Sequence, residues 1–469
     1  MKHSKKILTI IICTAAFSCT KVTNQVPASY ITPANFYKTA SDADNAINAC
    51  YDALQGSPAN YEIWGDGRTD MMASTSRSAG DDLQVVSGNV SATNGYANWD
   101  AVYSGINRCN SVIKNVPNIT DPSLASRQGR IMGEAYFLRG LFYFYLARTF
   151  ENAPLILQPY ESISGNLFPT VSNRATLFAQ IESDFLKAQP LVPDAPFATT
   201  VENKGKTTKA AINSALADLY LWEKKYQQAA DAASAVINSP AGYTLVPGAN
   251  YSTIFTARNT SESIFEVQYN YSYLETGNGN SDNITDLFLP LGGTVTAGNL
   301  RYQPTTALLN ALPGADRRAS ITYKNTGTVP APFRDANTLY IAKYPGDLVG
   351  TILYQDNDRI VYRLAEIILF KAEALNELGQ TPAAITLLNQ IRTRAGIANT
   401  TAVTQAEVRL AIENERFVEL AYEGKRYYDL IRTGRYATVT GFTNVNFQRW
   451  PLPSNELILN SNLVQNPGY

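Results

Sequence analysis

Residues 130–150 are apolar almost all round, and an exposed helix does not carry such a surface. A segment of this kind needs neighbours on every side, so the chain must wrap it in further helices. Arg139 interrupts the run, which leaves it too short an uncharged stretch to be a membrane span. Two other segments have the one-sided pattern of its partners. Residues 41–54 begin at a Ser41 N-cap and line up Ala43, Ala46, Ile47, Cys50 and Leu54. Residues 99–112 do the same with Trp99, Val102, Tyr103, Ile106 and Cys109.

Two helical hairpins of the tetratricopeptide type follow. In the first, Leu216, Ala217 and Tyr220 precede a turn at Lys224 and Lys225, and Tyr226, Ala229 and Ala233 line the return. In the second, Ala372 and Leu375 precede a turn at Gly379, with Ala384 and Leu388 beyond it. The small residues allow close helix approach. The units lie far apart in sequence, which predicts two α-hairpins packing a bundle rather than a continuous array. Between them the texture changes: residues 263–269 alternate like a strand, and residues 275–298 are rich in Gly, Asn and Asp. Residues 275–286 are dense in the hard oxygen ligands that calcium takes, but they lack the acidic spacing and final glutamate of an EF-hand loop, so they read as a plain polar loop. Residues 61–98 form a second long irregular stretch.

At 469 residues the chain exceeds the size of one core, which predicts two subdomains. Net charge is −1 with no basic run past the first six residues, which argues against nucleic-acid binding. Lys2, Lys5 and Lys6 precede an apolar run at residues 7–17, and Ala16, Phe17 and Ser18 precede Cys19. That is a secretion signal with a lipobox-like end. Cleavage before Cys19 and lipidation of its sulfur would anchor the chain through a polar tether. Of the remaining cysteines, Cys50 and Cys109 sit on predicted helices among small residues and read as buried free thiols, although export permits a disulfide.

Chemistry is sparse. The sole histidine, His3, lies in the signal, so the mature chain has no histidine for triads or metal ligation. No cofactor or metal site is expected. A carboxylate pair would suffice for glycoside hydrolysis, and residues 413–435 offer Glu413, Glu415, Glu419, Glu423 and Asp429. However, Arg416, Arg426 and Arg432 stand three residues from Glu419 or Asp429, a spacing that lets opposite charges meet on a helix. Paired carboxylates make poor general acids. The block therefore reads as structural, its helix started by a Thr404–Glu407 capping box and ended at Gly424.

Five blocks together resemble the SusD/RagB family of outer-membrane nutrient-binding lipoproteins. They are residues 135–156, 263–268, 363–394, 413–435 and 450–469, the last closing on Gln465-Asn466-Pro467-Gly468-Tyr469. The resemblance implies a mainly α fold of tetratricopeptide-like hairpins in an α–α superhelical scaffold, with long loops and a few short strands. It implies a signal at residues 1–18, an N-terminal helical half at 19–240, and a C-terminal half at 241–469 carrying a loop-rich insertion at 270–345. It further implies a non-catalytic, lipid-anchored protein on the outer membrane, facing the exterior. Such a protein would bind oligosaccharides and deliver them to a SusC-like TonB-dependent transporter barrel; a peptide-binding receptor with the same partner is the alternative. Sugars need flat aromatics and planar hydrogen-bonding groups. Trp64, Asp66, Arg68 and Asp70 supply that mixture on an apparent loop, and Asn270, Tyr271 and Tyr273 at the mouth of the insertion form a second candidate. Trp99, Trp222 and Trp450 read as core.

Overall fold

The computed structural model describes residues 33–161, 165–270, 272, 282–290, 298–327, 337–349 and 352–469. Cys19, Tyr271, Tyr273 and most of the polar run at 275–286 lie outside the described residues. The principal helices are α1 (Ala40–Gln55), α2 (Asp100–Asn115), α3 (Gln128–Thr149), α4 (Arg174–Ala188), α5 (Lys209–Trp222) and α6 (Tyr226–Ile237). They continue with α7 (Leu364–Glu377), α8 (Thr381–Ala395), α9 (Gln405–Glu419), α10 (Arg426–Arg432) and α11 (Ser454–Leu459).

Helix α3 is the axle that its sequence demands: Ile131, Phe137, Leu141, Phe144 and Leu146 on its different faces are all fully buried. It packs against α1, α2 and α4. Its internal cation is neutralised where it stands, since Arg139 donates to both oxygens of Asp184 on α4, at 2.8 and 2.7 Å. Helix α1 starts two residues earlier than a Ser41 cap predicts. Thr39 is the cap, accepting from the Asp42 N–H at 3.2 Å, while Asp42 returns a bond to the Thr39 N–H at 2.7 Å.

The hairpins α5–α6 and α7–α8 form as expected, the second turning at Gly379 with φ +77°. One expectation fails. Helix α6 packs directly on α7, and α4 touches α5, so the helices from α3 to α8 form a continuous array in space. The strand-and-loop segment between the hairpins is inserted into that array, and distance along the chain hid its continuity.

Strand β2 (Ser263–Val267) pairs antiparallel with β4 (Arg359–Arg363), which leads straight into α7. Strand β1 (Met72–Ser74) pairs with β3 (Tyr302–Pro304), tying the irregular stretch after α1 to the middle of the insertion. Cys50 and Cys109 are buried and free.

The α9–α10 block is a buried ionic core, but its pairing departs from the helical spacing. Helix α9 ends at Glu419 and Gly424 turns the chain at φ +68°, and groups from other elements claim Glu419 and Arg426 ahead of their i,i+3 neighbours. Only Arg432 meets Asp429 as spaced, at 2.8 Å. Arg416 instead reaches across to Asp429 at 2.7 Å. Glu419 collects Arg363 at 2.6 Å, Arg318 at 2.9 Å and also Arg394, all from other elements. Arg363 and Lys343 bracket Glu423 at 2.8 and 2.7 Å and hold its carboxyl down to about 2 against the cost of burial. Arg416 and Arg432 likewise hold Asp429 down to about 2. These groups stay ionised, as structural carboxylates should.

Candidate functional site

The first sequence candidate is not a surface loop. Residues Ile63–Gly67 form a π-helical turn inside the protein. Trp64 is 0% exposed; its indole N–H donates to the Tyr96 carbonyl at 2.7 Å, and its ring meets Tyr61 and Phe150 edge to face. Asp66 is buried against the start of α10, where its carboxylate accepts from the N–H groups of Gly424, Lys425 and Arg426 at 3.0, 3.0 and 2.9 Å. The approach is so close that a Cβ on Gly65 would fall 2.0 Å from the Gly424 carbonyl oxygen.

Arg68 donates to the carbonyls of Gly88 and Arg449 at 3.1 and 2.9 Å and to that of Phe447, and lies over the Trp450 ring at 5.6 Å. Asp70 pairs with Arg426 at 2.8 and 2.9 Å, so it does not pair with Arg68. Asp66, Arg68 and Asp70 staple this turn to residues 424–449, while Trp64 is enclosed by N-terminal rings; of the four only Asp70 keeps some exposure, and that carboxylate is spent on Arg426. Beside them Glu62 is wholly buried with neither oxygen hydrogen-bonded, and burial together with neighbouring Asp66 pushes its carboxyl well up.

The terminal pentapeptide belongs to the same staple. The Asn466 amide donates to the carbonyls of Phe150 and Trp450 at 2.7 and 2.8 Å, and the Tyr469 hydroxyl donates to Arg449 at 2.6 Å.

The second candidate fares differently. Asn270 is exposed, at the point where the chain leaves β2, and accepts from the Ser272 N–H at 2.8 Å. Its neighbour Tyr269 donates to the Gln55 carbonyl at 3.0 Å, which sets the mouth of the insertion against the end of α1. There a polar cleft of about 350 Å³ opens, lined by Gly56, Asn60, Asn98, Asp100 and Asn283 among others. Asn283, inside the insertion, completes the lining.

Asp100, the first residue of α2, also lines a second depression, an aromatic groove of about 430 Å³. Trp99 forms part of its lining while remaining buried, as predicted. Tyr103, Tyr160 and Phe168 provide the aromatic walls, and Glu456 of α11 adds a second carboxylate. Phe168 is 54% exposed and Tyr160 39%.

These rings are held in place by backbone bonds. The Tyr103 hydroxyl donates to Pro154 at 2.8 Å, and the Tyr160 N–H to the Asn107 side chain at 2.8 Å. Asn460 and Asn462 donate to the carbonyls of Pro169 and Phe168, both at 2.8 Å, clamping the Phe168 loop. Flat faces on a fixed frame, beside amides and carboxylates, can stack a sugar ring and accept from its hydroxyls. Sequence reasoning missed Asp100, Tyr160, Phe168 and Glu456. The available signal was Leu167-Phe168 between Asn166 and Pro169, an apolar pair set in turn residues.

Residues 313–469 match the family model described as "SusD family", and residues 29–221 match the one described as "Starch-binding associating with outer membrane". The chain belongs to the SusD/RagB family. Three SusD-like relatives from Formosa agariphila are 26–27% identical, P38 over 96% of both chains. The starch-binding protein SusD of Bacteroides thetaiotaomicron is 29% identical over 136 residues, 26% of this chain and 24% of that one.

Among solved SusD structures, a laminarin-binding SusD-like protein superposes with a TM-score of 0.77 at 26% identity, covering 92% of this chain and all of its own. A SusD superfamily protein from Bacteroides vulgatus has the same TM-score at 23% identity, covering 92% of this chain and all of its own, and supports the fold. The mainly helical SusD architecture expected from the sequence is thereby shown.

Proposed function

We propose that this SusD-family protein captures oligosaccharides at the bacterial surface, transforms nothing, and hands its cargo to a SusC-like TonB-dependent barrel. The observation that carries the reading is the junction at Asp100 of an amide-lined cleft with a fixed aromatic groove. Preformed sites of this kind bind without ordering loops, which suits capture followed by release. Starch and laminarin binding by the relatives named above points the same way. Asn270, Tyr271 and Tyr273 are proposed as further ligand-contacting residues. The non-catalytic reading rests on Glu419, Glu423 and Asp429 being buried, ion-paired and held in the charged form.

The anchor is the acylated Cys19 left by removal of residues 1–18. Residues 19–240 then form the N-terminal half, and 241–469 the C-terminal half with its insertion. Among the described residues no helix is long and apolar enough to cross a membrane.

The test is a glycan and peptide array probed with the chain truncated after Cys19, followed by calorimetry. Binding of at least one oligosaccharide with no shortened product is expected; binding of peptides alone would favour the peptide-receptor alternative. Cys19→Ala should release the full chain from the membrane fraction, and co-purification of a barrel with the native protein checks the partner.

A further inference from the structure

Both clefts are charged in one sense only. Among the described residues, Asp100 is the sole ionisable side chain lining the polar cleft, and Asp100 and Glu456 are the only carboxylates of the aromatic groove. Among the described residues, no lysine or arginine lines either one. Cations on neighbouring elements are committed elsewhere: Lys114, further along α2, pairs with Glu161, and Arg449 pairs with Glu151 at 2.6 Å. Burial and the facing Asp100 push the Glu456 carboxyl up, as expected of two like charges sharing a groove without a counter-ion. The other polar groups are already engaged. Asn107 accepts from the Tyr160 N–H, the Tyr160 hydroxyl donates to Asn166 at 3.0 Å, and Asn460 donates to Pro169.

We propose that this site selects neutral and aminated glycans and rejects sulfated or uronate ones. The proposal rests on the glycan-binding reading above and names the class of glycan. Two unpaired carboxylates accept charge-assisted bonds from sugar hydroxyls and, more strongly, from a protonated amino group. A sulfate or uronate placed against them would meet like charge beside low-dielectric aromatic walls, where repulsion is poorly screened. Such exclusion is a specificity device built from what the groove lacks.

The test uses the mature chain and matched probes: laminarin, maltoheptaose, cello-oligosaccharide and chitosan oligosaccharide, each beside its sulfated or carboxylate-oxidised counterpart, by calorimetry at low salt. The uncharged or aminated member of the bound pair should bind at least about tenfold more tightly than its anionic counterpart, with the gap narrowing as salt rises. In the Asp100→Asn/Glu456→Gln double variant the gap should shrink by about threefold or more. An anionic glycan bound as tightly as its parent, or a gap unchanged in the double variant, overturns the selectivity and leaves glycan binding intact. Failure of every probe, charged or not, overturns the glycan reading and the selectivity with it.

Discussion

Residues 61–70 and the surface around Asp100 are built from the same side chains and do opposite things. Each combines aromatic rings with aspartate and amide or guanidinium groups. In the first, the ring of Trp64 is enclosed, and Asp66, Arg68 and Asp70 have partners more than 350 residues further along the chain, at Arg449 and Arg426 for instance. In the second, Tyr160 and Phe168 are exposed to solvent, and among the described residues Asp100 and Glu456 share their groove with no cation. Composition that suits sugar recognition also suits a buried staple, because both need planar groups with directional bonds. What separates them is where the partners lie.

The sharpest way to break this contrast is Trp64→Ala. Removing an indole with no exposure should cost about 3–5 kcal/mol of stability in chemical denaturation, while the folded fraction keeps its glycan affinity within about twofold. A variant of native stability that had lost its ligand would return the site to residues 61–70.

Acid should come next. Glu423 and Asp429 are held near 2, below their unfolded values, so each contributes stability that is complete above the ordinary carboxyl range. That contribution, about 2–3 kcal/mol each, drains away as pH falls from about 4 toward 2. Asp358 runs the other way. Burial beside Glu266 raises it to about 8, so its stabilising contribution is complete below about 4 and is lost as pH rises through about 8. Unfolding free energy measured from pH 3 to 9 should therefore be greatest near about pH 5. A steady rise to pH 8 would contradict the Asp358 assignment, and no loss between pH 5 and 3 would contradict those of Glu423 and Asp429.

Much of the scaffold was legible because helices advertise themselves locally. The all-round apolar α3, the small-residue hairpins, and the Thr404–Glu407 cap that accepts from the Glu407 N–H at 3.3 Å needed nothing beyond nearby residues. The ionic character of residues 413–435 was legible too, but its partners were not: Glu419 is answered by Arg318, Arg363 and Arg394, whose approach no spacing encodes. The array running through α6 and α7 escaped for the same reason. The candidate site was the least legible part. Its walls come from α2, the loop carrying Phe168, and α11, three segments that pattern alone cannot juxtapose. Gly65 and Gly424 hinted at backbone contact rather than a binding loop, since a glycine in an irregular run often marks close approach.

Asp66→Ala sharpens the contrast at intermediate size. Three N–H groups at the start of α10 would lose their common acceptor, costing about 1–3 kcal/mol, and Asp66→Asn should recover part of that because an amide oxygen still accepts. Hydrogen exchange at Gly424, Lys425 and Arg426 should speed up in the alanine variant. Unchanged exchange there would mean the carboxylate serves something other than that turn.

The smallest effect is the most informative about function. Phe168 stands on a clamped loop with half its surface in solvent, so Phe168→Ala should leave the melting temperature within about one degree, as for surface substitutions generally. Lost stacking should weaken glycan binding by about 0.5–1.5 kcal/mol, up to roughly tenfold in affinity. Tyr160→Ala should behave alike, and Tyr160→Phe should retain most of the affinity, because the hydroxyl is spent on the Asn166 carbonyl while the ring face is what remains for the ligand. Calorimetry on the three variants separates stacking from hydrogen bonding. Equal losses for Tyr160→Phe and Tyr160→Ala would show that the groove works through its hydroxyls, and the difference between an enclosed ring and an offered one would then no longer explain where this protein binds.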